Sequence, residues 1–102
     1  MSDEPFSVDH DDATSALMVV GEVDEAHAPV LREAIERHSV SYTAELVVDL
    51  SGVTYLPSVA VGVIATARQK LQAAGESLDL VARDGSIAQR VLSVCALPHR
   101  AV

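Results

Sequence analysis

Aromatic residues are nearly missing from this sequence: two tyrosines, one phenylalanine and no tryptophan in 102 residues. With 49% apolar residues it can still build a core, but that core has to be aliphatic. The length suits one domain, burying roughly two-thirds of the surface its unfolded chain exposes. A single cysteine, Cys95, excludes an internal disulfide. Bases are scarce as well, 7 Lys and Arg against 15 Asp and Glu, for a net charge of −8. Phosphate binding needs clustered Lys and Arg, so nucleic acid is not the expected partner, and an anionic membrane surface would repel the chain. A basic protein partner fits this charge, and so does a simple need for solubility. The longest apolar run, residues 59–65 with Gly62 inside it, falls far short of the ~18 residues of a spanning helix. No charged-then-apolar leader opens the sequence. These absences predict a soluble, cytoplasmic protein that does not insert into membranes.

Catalytic constellations are absent too. Ser58 lacks the flanking glycines of a nucleophile elbow, and the four histidines fall in loops and at helix ends. No glycine-rich loop precedes a lysine at phosphate-binding spacing. Asp9, His10, Asp11 and Asp12 have metal-ligand chemistry, but they read as one exposed hairpin turn with no second cluster to complete a coordination shell. No enzyme activity, cofactor or metal is expected. Cys95, near Leu92 on the apolar side of the last helix, is expected to be a buried, inert thiol.

What is present is one organising stretch, residues 46–71. Leu46, Val47, Val48 and Leu50 suit a strand covered on both faces. Ser51 and Gly52 read as a turn that breaks it. Leu56, before a proline, is biased to extended backbone. Ser58 then stands where a helix N-cap belongs, with its hydroxyl within reach of the Ala60 or Val61 amide. Ala60, Val63, Ile64, Ala67 and Leu71 follow at three- and four-residue spacings, one apolar stripe of a helix that Gly75 stops.

Around this centre the elements alternate. Residues 1–5 read as a flexible N-terminus, and residues 6–102 as a single domain. Residues 6–10 suit a short strand with Phe6 and Val8 on one face. Residues 16–20 suit a second strand ended by Gly21. Asp24 is placed to cap or charge-stabilise the next helix, in which Pro29 fits the first turn. Val30, Leu31, Ala34, Ile35 and His38 continue the apolar face of that helix. Residues 78–81 suit another strand. Ser86 caps a last helix containing Ile87, Val91, Leu92 and Val94, which Pro98 stops. The alternation predicts an α/β layer structure, a mixed sheet of about four strands with about three helices and a short C-terminus.

Several of these residues resemble one family. Val48-Asp49-Leu50 followed by Pro57-Ser58-Val59-Ala60 resembles the centre of the STAS domain, the fold of bacterial anti-sigma factor antagonists. There the strand leads to Asp-Ser-Ser/Thr-Gly, whose first serine is phosphorylated. Gly21-Glu22-Val23-Asp24 resembles the Gly-Glu-Leu/Ile-Asp signature of the same domain, and Gly62 matches a glycine that follows the motif in many members. The likeness runs from about residue 6 to residue 97, and many members continue with a further strand and helix. It implies a STAS-like fold and a non-enzymatic protein-binding module. It implies binding to an anti-sigma factor, such as a histidine-kinase-like ATPase, so that a sigma factor is freed. Ser58 is then the candidate phosphorylation site, and Asp24, Pro57, Ser58, Val59 and Ala60 the candidate partner surface. The alternative is an accessory subunit of an ABC-type membrane transporter, docked on its ATPase. The motif departs from the family at three places: Pro57 replaces the aspartate, Val59 a hydroxyl residue and Ala60 a glycine. Only the acceptor serine is kept.

Overall fold

The computed structural model describes residues 5–102; of the flexible segment expected over 1–5, residues 1–4 lie outside it. In chain order the elements are β1 (Ser7–Asp11), β2 (Ala16–Glu22), a 3-10 turn (Glu25–His27), α1 (Ala28–His38), β3 (Leu46–Tyr55), α2 (Ser58–Ala73), β4 (Leu78–Ala82), α3 (Ile87–Val94) and β5 (Arg100–Ala101). The sheet order is β1-β2-β3-β4-β5. β1 runs antiparallel to β2, and every later pairing is parallel. The mixed sheet with three α-helices is as expected, with five strands where about four were anticipated.

Steady progression across the sheet through right-handed crossovers puts successive helices on one face. The burial agrees. Leu17 and Val19 of β2, Leu46, Val48 and Leu50 of β3, and Leu78 and Leu80 of β4 alternate into a single cluster with Leu31, Ile35, Ile64, Leu71 and Leu92 of the helices. That cluster is aliphatic, and the aromatics Phe6 and Tyr42 only pack at its border. β3 is therefore not covered on both faces as expected. Val47 and Asp49 point to the side without helices and are half-buried, so the strand alternates as a one-sided strand does.

The expected break at Ser51 and Gly52 is also corrected. β3 continues to Tyr55, and Gly52 pairs with Val20 across a register shift. A Cβ at Gly52 would lie 3.1 Å from Val20 Cγ2. The glycine thus serves close approach at a bulge inside the strand, not a turn.

Three further expectations shift at the ends of the chain. β1 runs to Asp11, so the hairpin turn lies over residues 12–15. α3 ends four residues before Pro98: Ala96 adopts a left-handed φ of 57°, and the Leu97 amide donates to the Leu92 carbonyl at 2.9 Å. Cys95 is consequently exposed, not buried, because it caps the helix after its last core turn. The short C-terminus carries β5, paired to β4 through Val81 and Ala82, and the exposed Arg100 guanidinium contacts the Asp79 carboxylate there through two nitrogens at 2.7–3.1 Å.

Histidine also joins β1 to α1. The rings of His10 and His38 stack with centroids 4.0 Å apart, and Phe6 stacks on His27 at 4.3 Å. Burial, and next the His10 ring, hold His38 below the usual imidazole range. Of the apolar face expected for α1, Val30 alone is turned out, 47% exposed.

Candidate functional site at the strand exits

The parallel strands β2 and β3 leave the sheet at the same edge, the end where loops of an α/β sheet assemble binding sites. Glu22 pairs with Tyr55, and the Val23 amide donates to the Tyr55 carbonyl at 3.1 Å. The turn carrying Asp24 is therefore tied to the loop carrying Pro57, Ser58 and Val59. Two loops whose residues lie 33 to 35 positions apart in sequence are thus joined at their bases by that backbone contact.

Each loop is fixed locally. Asp24 caps the 3-10 turn, its Oδ1 accepting from the His27 amide at 3.1 Å. His27 Nδ1 lies 3.0 Å from Asp24 Oδ1 and 3.1 Å from the Glu22 carbonyl. Both are acceptors, so Nδ1 carries the proton, and the Asp24 amide 3.4 Å away is not a donor to it. The Asp24 side chain nonetheless stays 51% exposed. His27 is a positioning residue that periodicity does not mark, because its partners Asp24 and Phe6 are reached only in the folded chain.

The start of α2 differs from expectation. Pro57, φ −77° and ψ 168°, is the N-cap, and its carbonyl accepts from the amides of Ala60 at 3.0 Å and Val61 at 3.1 Å. Ser58 is one position further in, and no side-chain cap bond forms. The proline fixes the extended φ that an N-cap needs, so the helix starts without the hydroxyl. Ser58 is exposed, and its Oγ has no hydrogen-bond partner among the described residues. The amides of Ser58 and Val59 likewise meet no acceptor there, leaving free donors at the positive end of a 16-residue helix. Ser58→Ala should accordingly leave the melting temperature within about 2 °C of wild type, because no cap of ~1 kcal/mol is removed. Thermal unfolding followed by circular dichroism checks this, and a drop of more than that would return the hydroxyl to a structural role.

Of the other expected surface residues, Val59 is 44% exposed and Pro57 half-buried. Ala60 is corrected: it is fully buried in the core cluster and has no surface to offer a partner. Its place on the stripe with Ile64, Ala67 and Leu71, all buried, decides this. Tyr55, 49% exposed at the same edge, was not singled out by the sequence.

From Val59 a cleft of ≈ 320 Å³ runs between α1 and α2, lined also by Arg32, Tyr42, Gly62, Thr66, Lys70 and Val63, which is only half-buried beside the stripe expected to take it inward. The Lys70 ammonium sits 4.8 Å from the centre of the Tyr42 ring. Tyr42 is delivered there by a left-handed turn, with φ of 52°, 56° and 64° at Val40, Ser41 and Tyr42. Such a conformation costs about 1–2 kcal/mol per non-glycine residue. Buried Ser39 holds it, its Oγ accepting from the Tyr42 amide at 3.0 Å and its carbonyl from Thr43 and Ala44.

The sequence model of the family described as Mlab, STAS domain matches residues 6–96. Among solved structures, an anti-sigma factor antagonist from Mycobacterium paratuberculosis is 28% identical, with a TM-score of 0.72 over 96% of this chain and 86% of that one. The anti-sigma factor antagonist SpoIIAA in its unphosphorylated form is 16% identical, with a TM-score of 0.67 over 96% of this chain and 87% of that one. At 16% identity the likeness to SpoIIAA is one of fold alone.

Proposed function

The chain belongs to the STAS domain family, and from that premise we propose that it is an anti-sigma factor antagonist that binds an anti-sigma factor and so releases a sigma factor. The observation that carries this reading is the shared edge: the Asp24 turn is bonded to the exit of β3, next to the exposed Ser58 and Val59. An exposed apolar residue next to a free hydroxyl, with a half-exposed carboxylate on the adjoining loop, suits recognition of a protein surface. The proposed place of action is the cytoplasm, where a sigma factor and its anti-sigma factor meet; no helix of the described residues is long and apolar enough to cross a membrane.

Ser58 is the proposed phosphorylation site. A phosphoserine adds about −1.5 to −2 charges. The free amides at the start of α2 tolerate that charge, and the hydroxyl supports no internal bond that would be lost. The charge acts on a partner packed against Val59, by repulsion and desolvation. The kinase in this scheme is a histidine-kinase-like anti-sigma factor.

Pro57 and Val59 favour a second reading. They make the edge more apolar than the family motif does, which suits a constitutive contact such as docking on the ATPase of an ABC-type transporter. Affinity capture from the native host, with wild type and Val59→Asp as parallel baits, separates the readings. An anti-sigma factor held by wild type and lost by the variant supports the first, a transporter ATPase with the same behaviour the second, and equal capture by both baits refutes the edge itself.

A further inference from the structure

We infer that the docking surface extends from Val59 along the cleft between α1 and α2 and receives an acidic amphipathic helix of the partner protein. This deepens the proposed edge and rests on it, since Val59 lines both.

Three observations converge. The first is charge. The cleft's charged residues are Arg32 and Lys70, two of only seven bases in a chain of net charge −8. A concave surface of that sign on an acidic protein selects carboxylates and rejects bases. The second is Gly62. It lies in the interior of an exposed helical turn, where a Cβ would meet nothing within 4 Å, so the chain's own packing gives no reason for glycine. Glycine weakens a helix there, and what it offers in return is a notch for close approach of another backbone. The third is the left-handed turn that brings Tyr42 beneath Lys70. Strain held by a buried serine serves placement of the following side chain, and that side chain forms a wall of the cleft. A groove between two helices that is lined by Val59, Val63 and Tyr42 together with the cations Arg32 and Lys70 is one into which a third helix lays its apolar face. Val59, Gly62, Thr66 and Lys70 follow one another along α2 at three- and four-residue steps, and they would run under it.

The test places the photocrosslinker p-benzoylphenylalanine at Val59 in one strain of the native host and at Thr66 in another. The cross-linked peptides are then read by mass spectrometry. Both positions are expected to trap the same protein, with the Thr66 adduct on a segment of net negative charge. Arg32→Glu with Lys70→Glu should cut the Thr66 adduct about tenfold. Gly62→Ala should cut it too, while raising the melting temperature by about 4–8 °C, a combination no purely structural role gives. Adducts at Val59 but not Thr66 overturn the cleft and leave the edge standing. So does a Thr66 adduct indifferent to charge reversal, or one formed on a basic segment. Adducts at neither position overturn the cleft and the edge together.

Discussion

Val59→Asp is expected to weaken partner binding by about a hundredfold, equivalent to about 3 kcal/mol, without disturbing the fold. Val59 is 44% exposed at the second position of α2, so the carboxylate is solvated in the free protein and even favoured by the helix dipole. In the complex it loses that solvation against an apolar surface with nothing to pair with it. The free and bound states thus respond with opposite sign, which makes the effect one of binding and not of stability. Isothermal calorimetry against the captured partner gives the affinity, and thermal unfolding of the free variant gives the control. A fall of more than a few degrees in melting temperature would attribute the loss to folding instead.

The second large effect lies inside. Ile64→Ala should cost about 2–5 kcal/mol, the range for emptying a packed aliphatic site. Ile64 is fully buried at the centre of the α2 stripe, with Ala60, Ala67 and Leu71 of the same helix in the same cluster as the leucines of β2, β3 and β4. With no large aromatic in that cluster to swing into the space, little of the cavity can be refilled. Urea unfolding measures it through the transition midpoint at constant slope. A loss below about 1 kcal/mol would mean that α2 is not clamped to the sheet as described.

Reading these elements from sequence succeeded where one physical cause dominated. The stripe of α2 and the alternation of strand and helix follow from burial on one face, and Gly75 with φ +78° and Ser86 as N-cap follow from local backbone chemistry. It failed where a distant segment decided. Ser51 and Gly52 carry turn propensity, yet β2 pairs across them and keeps them in a strand. β5 has two residues and no periodicity, and it forms because the distant edge of β4 offers its backbone, Val81 and Ala82 pairing with Arg100 and Ala101. Cys95 shares the apolar spacing of Leu92 but falls on the cap of its helix. At the site the error was smaller in distance and larger in meaning. Displacing the N-cap from Ser58 to Pro57 removes the structural explanation of the serine, and the buried Ala60 narrows the expected contact residues to Asp24, Pro57, Ser58 and Val59. Tyr42, Arg32 and Lys70 carry no motif at all, since only the packing of α1 on α2 brings them together.

The central claim is that a partner docks where Ser58 is, and that a negative charge at this serine is read by the partner and not by the fold. Calorimetric titration of the captured partner into Ser58→Glu, beside wild type, tests it most directly. The helix start accommodates the carboxylate, so the variant should fold with an unchanged circular dichroism spectrum and bind at least about tenfold more weakly. Wild-type affinity in Ser58→Glu would contradict the account.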